Sequence, residues 1–339
     1  MQQQATGEIG RYDISFDSAD GRSLIRGYLW WGENPPEAGL VAPRGVVLLV
    51  HGMCEHIERY DAFARDLARH GYLVCGHNQV GHGSSTTPDR LGCLPVDGRD
   101  VLVSDVHELR RIACEHVGEK VPLFVFGHSM GSFVTRSYVS RHGGGLAGAI
   151  LCGTGFIPPA KSRAGRTLAR LIARVRGVDY KSPLLQSMAE GSYSSMIEDA
   201  QTPSDWLSFD RDNINRFLAD DECGFTFSAG GYATLTDLTA EVCTLECAQR
   251  VPHQLPLLYI AGAQDPVGDF GEGVTASAEL ARRAGSDDVT CKIYEGMRHE
   301  ILKEKSRDVV VDDVLAWLDS RGAVAEATTA PFRAPGQGA

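Results

Sequence analysis

The chain has 339 residues, of which 43% are hydrophobic and 23% charged, and its formal net charge is −11. A chain of this size can bury one large core, or a core that carries a sizeable insertion. The negative charge argues against a general affinity for nucleic acid, because such a surface repels phosphates.

Neither a secretory signal nor a membrane span is predicted. The first ten residues are polar and contain no apolar stretch after a basic start. The longest apolar runs, such as residues 46–50, are far shorter than the roughly 20 residues that span a bilayer. The nine cysteines are scattered and include no Cys-x-x-Cys pair, which favours free thiols in a reducing compartment. We therefore expect a soluble, cytoplasmic protein.

The chain begins with a predicted β-hairpin and continues as alternating strands and helices. Two short strands within residues 12–31 surround the turn residues Asp20 and Gly21. Further short apolar strands are predicted at residues 46–50, 73–76, 123–126, 146–151, 257–261 and 289–294. Helical spacing occurs at residues 60–70, 101–116, 133–142, 276–284 and 308–318. This alternation predicts a mostly parallel, doubly wound α/β sheet with helices on both faces.

The alternation is interrupted by a long segment that is richer in polar, glycine and proline residues. We expect an inserted helical cap at residues 156–251, between a first core part at residues 1–155 and a second at residues 252–321. The last residues, 322–339, lack periodicity and are predicted to be a disordered tail. One face of a predicted helix in the insertion carries an apolar stripe, formed by Leu168, Leu171, Ile172 and Val175.

The strongest chemical signal is the run GHSMG at residues 127–131. It matches G-x-S-x-G and lies between a predicted strand and a predicted helix, the context that presents a nucleophilic serine on a sharp turn. The glycines are expected because side chains at these positions would clash in the strained turn. The pattern predicts Ser129 as a nucleophile at the carboxyl edge of the sheet.

A nucleophilic serine needs a histidine base and a carboxylate that orients the base. In this class of site the chain order is serine, acid, histidine. Asp265 follows the strand at residues 257–261, and His299 follows the strand at residues 289–294. No other histidine follows Asp265, and Asp269 is the nearest rival for the acid. We therefore predict a triad of Ser129, Asp265 and His299.

A second functional loop, HGMCEH at residues 51–56, follows the strand at residues 46–50. Backbone N–H groups of Met53 and Met130 are predicted to form the oxyanion hole, which stabilises the charge that develops on an ester oxygen. The loop also contains four potential metal ligands, which are His51, Cys54, Glu55 and His56. Their spacing matches neither H-E-x-x-H nor a Cys/His zinc pattern, so no metal or other cofactor is predicted.

Five motifs occur together in this chain: HGxxEH at residues 51–56, GHG at 81–83, GHSMG at 127–131, DPV at 265–267 and GxxHE at 296–300. This combination resembles the monoacylglycerol lipase and lysophospholipase branch of the α/β-hydrolases, which is related to serine aminopeptidase-like hydrolases. The resemblance covers about residues 45–318, except for much of the insertion. It implies an esterase for single-chain lipid esters, with the insertion as a cap over the acyl pocket. The family usually has an aspartate near residues 81–83, where this chain has Asn78 and Gln79.

The leading hypothesis is hydrolysis of a monoacylglycerol or lysophospholipid through an acyl-Ser129 intermediate. The same triad could also serve aminopeptidase-like peptide hydrolysis or acyl transfer. A peptidase needs an anionic cluster for the substrate ammonium, and the insertion offers Glu190, Glu198, Asp199 and residues 220–222, although these are also explained as solvated surface charges. A non-enzymatic receptor on this fold would usually have lost a member of the triad.

The apolar stripe of the insertion has two interpretations. Under the esterase hypothesis it faces the acyl pocket, and the arginines on the opposite helix face, Arg166, Arg170 and Arg174, permit transient contact with a membrane surface. Under the alternative, the stripe packs on the core and the arginines are solvated. The lipid ester is the predicted small-molecule partner in the first case.

Overall fold

The structure is a computed structural model that describes residues 8–32, 43–118, 120–189, 191, 193–198 and 200–322. The predicted disordered tail, residues 322–339, therefore lies outside the described residues except for Gly322. All nine cysteines are free thiols. In the described ranges, no helix has both the length and the apolar character needed to cross a bilayer.

One sheet of eight strands forms the centre of the molecule. Its strands are β1 (Ile9–Asp17), β2 (Leu24–Gly32), β3 (Gly45–Val50), β4 (Tyr72–His77), β5 (Leu123–His128), β6 (Gly148–Cys152), β7 (Leu257–Gly262) and β8 (Val289–Tyr294). They are arranged in the order β1-β2-β4-β3-β5-β6-β7-β8. The pairs β1–β2 and β2–β4 are antiparallel, and all other neighbouring pairs are parallel. The predicted hairpin and mostly parallel sheet are confirmed.

Ten α-helices are found in the described ranges. They are α1 (Asp61–Arg69), α2 (Gly98–Val117), α3 (Met130–His142), α4 (Pro159–Arg176), α5 (Pro183–Ala189), α6 (Arg211–Leu218), α7 (Ala229–Val242), α8 (Leu245–Gln249), α9 (Glu272–Arg283) and α10 (Arg307–Asp319). The five helices predicted outside the insertion are all present. Their ends differ from the predicted ends by a few residues, as for α3, which begins directly after Ser129.

The sheet has a hydrophobic core on each face. Because side chains alternate along a strand, Val46, Leu48 and Val50 of β3 belong to the core that includes α2, α3 and α9. Val47 and Leu49 belong to the core that includes α1 and α10. Helices therefore cover both faces, as the doubly wound pattern predicts.

The helical insertion α4–α7 lies between β6 and β7. Helix α4 packs against α7 with its small side chains, since Ala169, Ala173 and Ser162 are buried. The hydroxyl of Thr239 on α7 donates a hydrogen bond of 2.9 Å to the Ser162 hydroxyl. Small side chains allow the two helix axes to approach closely, because the distance between packed helices depends on the residues at their contact.

The predicted apolar stripe of α4 is divided between core and solvent. Leu168 and Ile172 are partly buried and pack against the core, whereas Leu171 is 58% and Val175 is 71% exposed. The whole stripe is therefore not the packing face of α4, because the close contact with α7 selects alanine and serine instead. On the predicted cationic face, Arg166 pairs with Asp237 of α7 at 2.6 Å, whereas Arg170 and Arg174 are exposed.

Candidate active site

Ser129 stands on the turn between β5 and α3, in a strained backbone conformation with φ 53° and ψ −121°. Its N–H donates to the carbonyl oxygen of Cys152 at 2.9 Å, and its own carbonyl oxygen accepts from the Ser132 hydroxyl at 2.6 Å. These bonds hold the turn in place. Ser129 is partly exposed although His128 and Met130 on either side of it are buried. The turn thus presents the hydroxyl at the carboxyl edge of the sheet.

The two glycines of the GHSMG motif are required by close packing. A Cβ atom at Gly127 would lie 2.2 Å from the carbonyl oxygen of Gly131. A Cβ atom at Gly131 would lie 2.1 Å from the carbonyl oxygen of Val50. Either side chain would push α3 away from the sheet, which confirms the steric reason expected from the sequence.

Asp265 and His299 are joined by a hydrogen bond of 2.9 Å between Oδ2 and Nδ1. Both side chains are buried, and Asp265 is also held by the Val267 N–H at 2.9 Å. Burial lowers the pKa of His299, but the charge of Asp265 and the hydrogen bond raise it, and the net result is a pKa above the ordinary 6.5. This bond leaves Nε2 of His299 as the nitrogen that can act as a base.

The nucleophile turn and the histidine loop meet through His128. The ring centroids of His128 and His299 are 4.7 Å apart, and Nε2 of His128 lies 3.3 Å from the His299 carbonyl oxygen. Within the described ranges, no hydrogen bond joins the Ser129 hydroxyl to His299. Such bonds often tighten only when substrate binds. The structure therefore joins the predicted acid and base and brings the predicted nucleophile to the same edge of the sheet.

The loop at residues 51–56, hereafter the oxyanion loop, lies against the nucleophile. A Cβ atom at Gly52 would lie 3.1 Å from Cβ of Ser129. In the part of the chain that the structure describes, the N–H groups of Met53 and Met130 have no hydrogen-bond acceptor. Unused N–H donors beside a nucleophile are what an oxyanion hole requires. The role of these two residues stays a prediction.

A buried ionic network under the oxyanion loop was missed by the sequence analysis. Glu55 accepts hydrogen bonds from the Gly52 N–H and the Tyr60 hydroxyl, both at 2.7 Å. Arg59 bridges Glu55, at 3.1 Å, and Glu300, at 2.8 Å. Burial alone would raise the pKa of Glu300, but the charges of Arg59 and nearby Lys303 lower it to about 2. Glu55 and Glu300 belong to the HGxxEH and GxxHE motifs, and this was the sequence feature that could have indicated their role.

Asn78 occupies the region where an aspartate was expected from the resemblance, and its surroundings explain the amide. Its Oδ1 accepts from the Ile57 N–H at 2.8 Å, and its Nδ2 donates to the Glu58 carboxylate at 3.2 Å. An aspartate here would place a second negative charge against Glu58. Gln79 supports the oxyanion loop, because its Nε2 donates to the His51 carbonyl oxygen at 2.8 Å.

The insertion contacts the loop that carries His299. The carbonyl oxygen of Leu207 accepts from the Glu300 N–H at 2.7 Å, and Arg298 donates to the Asp205 carbonyl oxygen at 2.7 Å. The Trp206 ring lies 5.1 Å from the His299 ring, centroid to centroid. No motif pointed to Trp206, because its place beside the base depends on the fold of the insertion.

Potential metal ligands come together beside the oxyanion loop. Among the described residues, one cluster brings three potential ligand atoms within 4.8 Å of one another: His56, Asp220 and Cys223. Both ring nitrogens of His56 already bind carboxylates at 2.9 Å, and the Arg59 guanidinium lies 4.0 Å from the Cys223 sulfur. A cation at this place would face a neighbouring positive charge. The absence of a metal cofactor stays a prediction.

Comparison with known proteins finds relatives over most of the chain. The family described as Hydrolase_4, serine aminopeptidase S33, matches residues 41–306. The monoacylglycerol lipase of Mycolicibacterium smegmatis is 30% identical over 288 residues, covering 82% of this chain and 89% of the relative. The human monoglyceride lipase is 26% identical over 331 residues, which cover 93% of this chain and 92% of the human protein. A solved carboxyl esterase from Bacillus coagulans, in complex with glycerol, matches with a TM-score of 0.85 and 29% identity over 93% of this chain and 99% of that one.

Proposed function

Since the chain belongs to the Hydrolase_4 (serine aminopeptidase, S33) family of the α/β-hydrolases, we propose that it hydrolyses carboxylic esters of single-chain lipids. The substrates would be of the monoacylglycerol or lysophospholipid type. The observation that carries the proposal is the bond between Asp265 and His299 beside the strained turn at Ser129. Relatives that are monoacylglycerol and monoglyceride lipases support the choice of substrate class.

In the first half of the proposed reaction, Ser129 becomes acylated. Its hydroxyl oxygen attacks the ester carbonyl carbon while Nε2 of His299 accepts the hydroxyl proton. The N–H groups of Met53 and Met130 stabilise the negative charge on the carbonyl oxygen. Asp265 stabilises the imidazolium that forms. The intermediate then collapses, and His299 gives its proton to the departing alcohol.

In the second half, water removes the acyl group. His299 takes a proton from a water molecule, which attacks the acyl carbon of the Ser129 ester. The same N–H groups stabilise the second oxyanion. Collapse of this intermediate returns the proton to Ser129 and releases a fatty acid. No cofactor takes part in this scheme.

The acidic residues of the insertion support an ester rather than a peptide as substrate. Asp220 binds Nε2 of His56 at 2.9 Å, so its charge is already paired. Asp221 and Glu198 are exposed, which fits solvated surface charges. Glu190 and Asp199 lie outside the described residues. A peptidase would need an unpaired carboxylate cluster to bind the substrate ammonium.

The surface of the insertion supports a lipid substrate. Outside it, the exposed large apolar side chains among the described residues are Leu24, Phe270 and Val309. Those of the insertion are more numerous: Leu171, Val175, Val178, Leu184, Met188, Met196, Phe209 and Leu218. Apolar side chains beside the basic residues of α4 suit transient contact with an anionic membrane. We infer a cytoplasmic enzyme that takes its substrate from a lipid surface.

A paired substrate panel tests the proposed function. The first set is p-nitrophenyl esters of graded chain length with a monoacylglycerol and a lysophospholipid, and the second is aminoacyl arylamides. We expect turnover of the first set only, with Ser129→Ala as the inactive control prepared in the same way. Arylamide turnover comparable with ester turnover would contradict the assignment and favour the peptidase.

A further inference from the structure

We propose, as an inference that rests on the proposed function, that residues 220–227 of the insertion hold the oxyanion loop in its working shape. Cys54 and His56 are the positioning residues through which this segment acts. Neither touches the reacting atoms, and each stands within three residues of Met53, the proposed oxyanion donor. The insertion is then part of the catalytic apparatus as well as a cover over the acyl pocket.

Cys54 binds the insertion with two of its polar groups. Its carbonyl oxygen accepts from the Gly224 N–H at 2.9 Å, and its thiol donates to the Phe225 carbonyl oxygen at 2.8 Å. Its own N–H donates to Nε2 of His82 at 3.4 Å. The residue that follows Met53 is therefore held by the insertion as well as by His82.

The backbone at Cys54 needs this support. Its φ of 56° lies in the left-handed region, which is strained for a residue that has a Cβ atom. Such a conformation persists only where its surroundings enforce it. The bonds to Gly224 and Phe225 of the insertion stabilise this conformation of Cys54. On the other side of Met53, the Gly52 N–H is held by the Glu55 carboxylate.

His82 contacts both the oxyanion loop and the insertion. Besides accepting from Cys54, its ring makes edge contacts with Phe225 and Phe227, each at a centroid distance of 5.4 Å. His82 and Phe227 are buried, and Phe225 is partly buried. A shift of the insertion at these phenylalanines would therefore also move the group that binds the Cys54 N–H.

His56 adds an ionic contact. Its Nε2 binds Asp220 of the insertion and its Nδ1 binds Glu58 of the core, both at 2.9 Å. Two carboxylates bound to both ring nitrogens require the charged imidazolium. Burial lowers the pKa of His56, but hydrogen bonds to Cys223, Glu58 and Asp220 raise it to about 11, so the ring is charged at neutral pH. Glu58 is itself fixed by the Tyr28 hydroxyl at 2.8 Å.

These contacts make the proposed reaction depend on the position of the insertion. When residues 220–227 are docked, the Met53 N–H is held toward the developing oxyanion. When they move away, Cys54 loses its bonds to Gly224 and Phe225 and the donor is no longer fixed. Because loss of a whole oxyanion donor costs about 10²- to 10³-fold in kcat, loosening one donor should reduce kcat by about tenfold.

Hydrogen exchange tests the coupling without any substrate. Asp220→Asn removes the charge that pairs with His56, and Asp221→Asn removes an exposed neighbouring charge as the matched control. In the full-length protein, we expect amide exchange in residues 51–56 to be several-fold faster in the Asp220→Asn variant and unchanged in the Asp221→Asn variant. Equal exchange in the two variants would overturn the proposal.

Kinetics test whether Cys54 acts on the oxyanion donor. Cys54→Ala removes the donor to Phe225, and Cys54→Ser restores a hydroxyl donor. For a short soluble ester, we expect kcat to fall about tenfold in the alanine variant while KM stays unchanged. In the serine variant, most of the wild-type kcat should be recovered. Wild-type kcat in the alanine variant would overturn the proposal. If the wild type hydrolyses no ester while the exchange difference persists, the docking stands and the hydrolase assignment fails.

Discussion

The bond between Asp265 and His299 sets two properties of the proposed base, its orientation and its pKa. The carboxylate fixes the proton on Nδ1 and so leaves the lone pair of Nε2 for Ser129. Its charge also keeps the pKa of His299 above 6.5, although burial acts in the opposite direction. His299 must be neutral to accept a proton, so activity should fall as the pH drops below this raised pKa.

We predict that Asp265→Asn leaves the protein folded but lowers kcat by up to about 10⁴-fold, because the amide no longer fixes the productive tautomer. The acid limb of the kcat/KM profile should also move to lower pH, because burial then acts on the pKa of His299 without the opposing charge. Profiles of kcat/KM against pH for both proteins measure the two effects.

Asp269→Asn is the matched control for this change, since Asp269 is exposed and follows Asp265 by four positions. It should retain wild-type kcat and the wild-type pH profile. An inactive Asp269→Asn variant beside a nearly normal Asp265→Asn variant would show that the acid has been placed wrongly.

Helix α4 shows that a helix predicted from its apolar stripe can pack with a different face. Periodicity gives weight to large apolar residues, and it therefore selected the stripe from Leu168 to Val175. Close contact with α7 instead buries Ala169 and Ala173, while Leu171 and Val175 point to solvent. These exposed side chains are then available to lipid rather than to the core.

We predict that the double variant Leu171→Ser/Val175→Ser loses several-fold activity on a long-chain monoacylglycerol in vesicles and retains activity on p-nitrophenyl acetate. Only the first substrate must be taken from a lipid surface. The melting temperature should change by less than about 3 °C, because both side chains are exposed. Initial rates on both substrates and a thermal melt provide the measurement.

The control pair is Leu24→Ser/Val309→Ser, which removes an exposed leucine and an exposed valine outside the insertion. It should behave as the wild type on both substrates. Equal losses on the vesicle and acetate substrates, or the same selective loss in the control pair, would refute the role of α4 at the lipid surface.

The strands and helices of the core could be predicted from local sequence patterns. Each buried strand is a short apolar run between turn residues, and each helix on the sheet repeats its apolar residues, so all eight strands were predicted. Residues Ser129, Asp265 and His299 each follow a strand of the same parallel set. The topology of such a sheet brings the loops that follow its strands to one edge.

Contacts of the insertion could not be predicted in this way. His56 and Asp220 are 164 positions apart in the sequence. The Trp206 ring contacts the His299 ring, although the two residues belong to separate segments of the chain. Single polar and aromatic residues have no periodicity, so their partners follow only from the folded insertion. The ionic network of Glu55, Arg59 and Glu300 likewise depends on the fold, because two motifs contain its carboxylates but neither motif shows that Arg59 lies between them.

Ser129 is the proposed activated nucleophile of this chain. A fluorophosphonate probe, followed by intact mass and peptide analysis, measures this directly because the probe reacts with serines whose base and oxyanion donors are in place. We predict one adduct per chain, located on Ser129 and absent from the Ser129→Ala variant. Labelling that persists in Ser129→Ala, or an adduct on another serine of the wild type, would contradict the proposed role of Ser129.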